Sequence, residues 1–169
     1  MNDRVLVTYG SWWGSTAEVA QEIGKILRES GAEVDVLPAG KVKRADGYRA
    51  VVIGSGIRAG RCKGEVTKFI SRNKAALAGI PVAVFVVCLQ LQEDTPENRE
   101  QALTFLKPIT DGVEAVSVGL FAGALTADRA PFFMKLIVKS MPQGDWRDWE
   151  AIRTWAGELP ARFAAAPAV

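Results

Sequence analysis

Short, nearly unbroken runs of apolar and β-branched residues recur along this chain, and they constrain its fold more than any other feature. There are five: Arg4–Tyr9, Glu33–Leu37, Ala50–Ser55, Pro81–Cys88 and Glu114–Phe121. "AVVIGS" and "PVAVFVVC" lack the polar alternation of a half-exposed strand, so they read as strands covered on both faces, as in a parallel sheet. Helical patterns lie between them. After Thr16, the residues Val19, Ala20, Ile23, Ile26 and Leu27 share one face, and Gly31 ends the run. Further helices are expected over Gly64–Ala78 and over Thr95–Lys107, the second closed by Pro108. A last helix has Asp145 as its expected N-cap and Trp149, Ile152, Ala156, Leu159 and Phe163 on one face. Strand and helix thus alternate, which predicts an α/β fold with a five-stranded parallel sheet of order 2-1-3-4-5. At 169 residues, one domain over residues 1–163 is expected, with 164–169 a frayed tail.

Composition removes several function classes. A formal net charge of +2 and the lack of a basic stripe disfavour nucleic acid as a partner. The absence of histidine removes the commonest general base and most zinc and haem ligation, and no metal is expected. Two cysteines without C-x-x-C spacing suit a reducing compartment. No basic-then-apolar leader precedes the first strand, and no apolar run is long enough to span a bilayer. The expected location is the cytoplasm, with a peripheral position at the inner face of the membrane as the alternative.

In such a sheet, ligands bind beyond the carboxyl ends of the strands, near the switch in strand order. Three loops meet there: Gly10–Thr16, Gly54–Arg61 and Leu89–Asp94. The first, within "VLVTYGSWWGSTAEVA", joins Ser11, Ser15 and Thr16 hydroxyls to a glycine-loosened turn and a helix N-terminus, a phosphate cradle in outline. It has neither the lysine of a triphosphate loop nor G-x-G-x-x-G, so one terminal phosphate on a small cofactor fits better. Trp12 and Trp13 could pack against that cofactor's rings. The alternative is a plain helix start with the tryptophans covering the sheet edge.

The pattern Ser11-x-x-Gly14-x-Thr16 resembles the FMN-phosphate loop of the flavodoxin family, usually Ser/Thr-x-Ser/Thr-Gly-x-Thr. It departs at Trp13, where a hydroxyl residue is usual. The series "GSGIRAGRCKGEVTKFI", "VCL" at 87–89, "TPEN" at 95–98, "FAGAL" at 121–125 and "DWEAI" at 148–152 resembles one branch, the flavodoxin-like, menaquinone-dependent protoporphyrinogen oxidases. The resemblance implies a flavodoxin-like three-layer sandwich that binds FMN and passes electrons from a porphyrinogen to a quinone at the membrane. The flavin would carry the redox chemistry, so no catalytic side chain is assigned. The cofactor would be held by Ser11, Trp12, Trp13, Gly14, Ser15, Thr16, Ser55, Gly56, Ile57, Arg58, Cys88, Leu89 and Gln90. Gly56 and Gly60 would let backbone approach the ring. Arg58, Arg61 and Lys63 could meet substrate propionates, or form an ordinary solvated basic loop. Cys88 closes a buried strand and reads as a core thiol, not a redox one.

"RAPFFMKLIVKSM", residues 129–141, is apolar around most of a helix, with Lys135 and Lys139 at i, i+4. A helix packed in the core or against a second copy is the first expectation. Contact with a membrane surface, or a cap over an apolar substrate site, is the alternative. Two other functional readings accompany the oxidase: a flavodoxin shuttling electrons between proteins, and a flavin-free interaction module. Shuttle flavodoxins are strongly acidic and this chain is not; Trp13 in the phosphate loop is the specific support for the module.

Overall fold

A computed structural model of the protein describes residues 3–167. The elements run β1 (Arg4–Gly10), α1 (Ser15–Glu29), β2 (Glu33–Pro38), β3 (Ala50–Arg58), β4 (Arg61–Cys62), α2 (Gly64–Arg72), α3 (Lys74–Ala78), β5 (Val82–Cys88), α4 (Pro96–Thr110), β6 (Ala115–Ala122), β7 (Ala124–Leu125), α5 (Lys135–Lys139), β8 (Gly144–Asp145) and α6 (Trp149–Ala165). The main sheet is parallel in the order β2-β1-β3-β5-β6, which is 2-1-3-4-5 when the five long strands alone are counted. This is the flavodoxin-like sandwich. The apolar runs are covered on both faces, as their lack of alternation requires. On one side α1 and α6 bury Ile23, Leu27, Ile152 and Leu159 against Val5, Val7 and Phe85. On the other, α2, α3 and α4 bury Phe69, Leu77 and Leu106 against Leu6, Ile53 and Val84.

Four expectations are corrected. The helix over 64–78 breaks at Asn73, whose buried side chain accepts from the Ala45 N–H at 2.8 Å and donates to the Phe69 carbonyl at 3.0 Å. A buried amide must be paired, and pairing this one to the 43–45 loop interrupts the helix. Pro108 does not close α4, which continues to Thr110. The carbonyl deprived of its partner belongs to Thr104 on the exposed face, where water can serve it. The cap of α6 is Asp148, accepting from the Ala151 N–H at 3.0 Å, while Asp145 lies in β8 and pairs with Arg147. The helix also reaches Ala165, so the expected tail 164–169 begins later; residues 168 and 169 lie outside the described residues.

The segment 129–141 departs most. It forms a 3₁₀ turn at Phe132–Met134 and the short α5, not a helix packed in the core. Ala130 and Val138 are buried, but Phe132, Phe133 and Leu136 are 91%, 77% and 82% exposed. Among the described residues no helix is long and apolar enough to cross a membrane.

Candidate functional site

The turn between β1 and α1 joins a left-handed glycine to a helix N-terminus. Gly14 sits in the left-handed region, φ 97°, a conformation that disfavours any side chain, and its N–H donates to the Ser11 hydroxyl at 2.9 Å. That bond curls the turn and aims the first N–H groups of α1 outward, where they have no partner within the helix. Thr16 lies inside this turn at 2% exposure, yet its hydroxyl makes no hydrogen bond to any described residue. The residue lines the neighbouring cavity, and its hydroxyl is left accessible there as a hydrogen-bonding group that a ligand can use. Gly56 explains how Thr16 fits: a Cβ there would lie 2.7 Å from Thr16 Oγ1, so only glycine lets β3 pass this close.

Beside the turn lies a cavity of about 400 Å³. It brings together Trp12, Trp13, Ser15, Thr16, Gly56 and Ile57 with Arg58, Cys88, Leu89 and Gln90. The Arg58 guanidinium stands over both tryptophans, 5.2 Å from the Trp12 ring centre and 5.5 Å from that of Trp13. A cation held by two ring faces at a cavity wall suits a planar anionic partner. Three expected residues stand back from the wall. The Ser11 hydroxyl is occupied by Gly14, which itself only shapes the turn, and the Ser55 hydroxyl is buried, donating to the Gly56 carbonyl at 2.7 Å and accepting from Lys63 N–H at 2.9 Å. Their work is to hold the loops in place.

The basic loop also divides. The Lys63 ammonium also stands over the Trp12 ring, at 5.2 Å, but it is engaged elsewhere: it donates to the Ser11 carbonyl at 2.7 Å and pairs with Glu65 at 3.5 Å. Arg61 stands outside the cavity wall on an antiparallel hairpin, paired in register with Arg58. Two residues in the left-handed region, Ala59 (φ 49°) and Gly60 (φ 72°), make that hairpin's turn. Gly60 is thus required by the turn rather than by approach to a ring. Both cysteines are free, and burial pushes the Cys62 thiol up to about 11, so neither reads as a redox thiol.

The far wall is largely the segment 129–141, for which a cap over an apolar site is the alternative expectation. Leu125, Met134, Ile137, Val138 and Met141 line it, together with Arg129. Trp13 packs into the small cluster of Leu125, Ala127, Ala130 and Val138 and so anchors this segment to the turn. The sequence signal is the apolar run itself, which does not say which of its side chains face the cavity and which face solvent.

The residues present fit a ligand with a phosphate at one end and a flat apolar body, and the fold places that site beyond the carboxyl ends of β1, β3 and β5. A family model described as a flavodoxin domain matches residues 6–148. The chain belongs to the flavodoxin domain family. FMN is the cofactor that this membership brings. The chain is similar to the protoporphyrinogen IX dehydrogenase (quinone) of Escherichia coli (strain K12), 27% identical over 173 residues that cover 92% of this chain and 94% of that one. The Leishmania major protein of the same name is 25% identical over 182 residues, covering 97% and 78%. In fold it is similar to a flavodoxin from the domain Archaea (TM-score 0.60, 15% identity, 95% and 99% covered). Oxidised flavodoxin 2 from Bacillus cereus aligns comparably (TM-score 0.58, 21% identity, 95% and 97% covered).

Proposed function

We propose that this flavodoxin-family protein is an FMN-dependent oxidoreductase that takes electrons from a porphyrinogen-type substrate and passes them to a quinone. The observation that carries the reading is the unpartnered Thr16 hydroxyl at the head of α1, opening onto a cavity with aromatic and apolar walls. The near full-length similarity to proteins named protoporphyrinogen IX dehydrogenase (quinone) supports the choice of substrate and acceptor. FMN, when bound, supplies the redox chemistry. The chain's own residues bind and orient it. Thr16, Ser15 and the first-turn N–H groups of α1 hold the phosphate, with Ser11 and Gly14 shaping the turn that presents them. Trp12, Ile57, Leu89 and Gln90 wall the ring, and the apolar far wall excludes water from it. Arg58 is the cation placed to meet a substrate carboxylate; the Lys63 ammonium is already engaged.

The exposed apolar segment 132–141, with Lys139 beside it, suits a site that meets an apolar electron partner at a membrane surface. A protein at the inner face of the membrane follows from that reading. Net charge of +2 gives little electrostatic steering towards a protein partner, which counts against a shuttle. The test is a visible absorption spectrum of the purified chain before and after FMN, with Thr16→Val alongside. Wild type should acquire a protein-bound flavin spectrum, and Thr16→Val should bind FMN about 10- to 100-fold more weakly, the loss of one hydrogen bond to a charged group. Electron transfer from protoporphyrinogen to a menaquinone analogue should then depend on FMN. A wild type that binds no FMN defeats the reading, and a loaded protein inactive with both reactants defeats the choice of substrate.

A further inference from the structure

The anion site has a third side that no loop motif announces. Arg129 reaches it from 111 residues beyond Glu18, at the end of a 3₁₀ turn over Ala127–Arg129. Its Nη2 donates to both carboxylate oxygens of Glu18, at 2.9 and 3.0 Å. Its Nη1 makes no hydrogen bond among the described residues and lies 3.5 Å from where a Cβ on Gly14 would be. So one arm of the guanidinium is committed, and the other rests free beside the Gly14 turn, on the wall shared with Ser15 and Thr16.

The neighbouring charges explain the arrangement. Glu18 sits in the first turn of α1, where its carboxylate suits the helix but opposes an incoming phosphate. Burial pushes this carboxyl up, but hydrogen bonds from Arg147 and Arg129 outweigh that and hold it below its usual range. Arg147 cannot serve the phosphate as well. Its side chain is 4% exposed, bound twice by Asp145 at 2.8 and 2.6 Å, paired with Glu18 and stacked 4.7 Å over Trp149. Glu18 and Asp145 against Arg129 and Arg147 sum to zero; without Arg129 the group beside the turn is net negative. Position 13 offers no hydroxyl, and Trp13 instead packs on the segment that carries Arg129.

We propose that Arg129 is a phosphate-binding residue, its free Nη1 completing the site of the turn and α1 for a phosphomonoester dianion. This rests on the FMN reading and deepens it: Arg129 is what makes the site prefer FMN to riboflavin, which differs only by that phosphate. Charge-assisted bonds from arginine to phosphate oxygens are the strong class, and a planar guanidinium shared between a carboxylate and a phosphate keeps the fork fixed.

The test is calorimetric titration of the flavin-free protein with FMN and with riboflavin, for wild type, Arg129→Met and Arg129→Lys, each checked by circular dichroism. Arg129→Met should weaken FMN binding about 10- to 100-fold and leave riboflavin within about twofold, with Arg129→Lys in between. If FMN binding is unchanged, or both flavins weaken together, the inference is overturned and Arg129 merely braces Glu18. Should Arg129→Met not fold, Arg129→Lys decides alone: weaker FMN with riboflavin unchanged supports the assignment, and any other pattern overturns it. A wild type that binds neither flavin overturns the FMN reading itself, an outcome distinct from loss confined to no variant.

Discussion

Replacing Gly54 with alanine tests whether this sheet is assembled around Phe85. The ring belongs to β5, and its register partners on the two neighbouring strands are both glycines, Gly54 on β3 and Gly119 on β6. A Cβ on Gly54 would lie 2.0 Å from Phe85 Cζ and 2.2 and 2.4 Å from its two Cε atoms. Carbon atoms settle near 3.5–4.0 Å, so the ring would have to withdraw by roughly 1.5 Å or more. It has little room: Phe85 is fully buried, with the Trp155 ring centre at 6.2 Å and that of Phe121 at 6.4 Å. Overpacking of a closed core costs about 1–3 kcal/mol, and the restricted unfolded chain of alanine returns at most about 1 kcal/mol. With the clash spread over three ring atoms, Gly54→Ala should destabilise by about 2 kcal/mol, a fall in Tm of about 4–8 °C for a chain of this size. Phe85→Leu alone should also destabilise, but the added methyl should partly fill the space the ring leaves. The double variant should therefore lose at least about 1 kcal/mol less than the two single losses added, as neighbours in contact do. Urea unfolding followed by circular dichroism reads all four proteins. A Gly54→Ala variant as stable as wild type, or strict additivity, would refute the argument that Gly54 makes room for the ring.

Three further predictions address other parts of the molecule. Phe132→Ser/Phe133→Ser/Leu136→Ser should lower cosedimentation with anionic lipid vesicles about 100-fold or more, since each apolar side chain is worth about 1.5–3 kcal/mol on burial; wild type that ignores vesicles would end the membrane reading. The Tyr48 phenol, pushed up to about 12 by burial and by its hydrogen bond to Asp35, should titrate late in an ultraviolet difference spectrum. Because the folded value is raised, its contribution is complete below pH ~10 and is lost as pH climbs towards ~12, so the stability curve of Tyr48→Phe should be flatter across that window. Thr8→Val should raise Tm by about 2–4 °C, because among the described residues the Thr8 hydroxyl is buried without a partner and leaving it so costs about 1 kcal/mol; an unchanged or lower Tm would point to a bound water there.

The parts legible in the sequence were those set by local patterning. The runs at 50–55 and 81–88 had to be covered on both faces, and they are the central strands. The helix after Thr16 showed its face and its end. The turn at 11–16 was legible as a helix start because glycine and hydroxyl residues mark such starts. Boundaries were lost where a single buried polar group intervened, as Asn73 does, since its partners lie in another loop. The substrate-side basic residues could not be sorted either. Arg58, Arg61 and Lys63 look alike in one loop; Arg58 and Lys63 both stand over Trp12, and only the Ser11 carbonyl and Glu65 mark Lys63 as already tied.

Sequence by itself therefore determined the alternating architecture, the glycine- and hydroxyl-rich start of α1 and the absence of histidine chemistry, because each depends on residue type and near-neighbour spacing. Tertiary structure decided who faces the cavity. Arg129 meets Glu18 across 111 residues, Trp13 clamps the segment that brings it there, and 132–141 buries Val138 while leaving Phe132, Phe133 and Leu136 exposed. Those outcomes depend on how a long irregular connection lies over the sheet, and its energy comes from contacts between residues that periodicity does not relate.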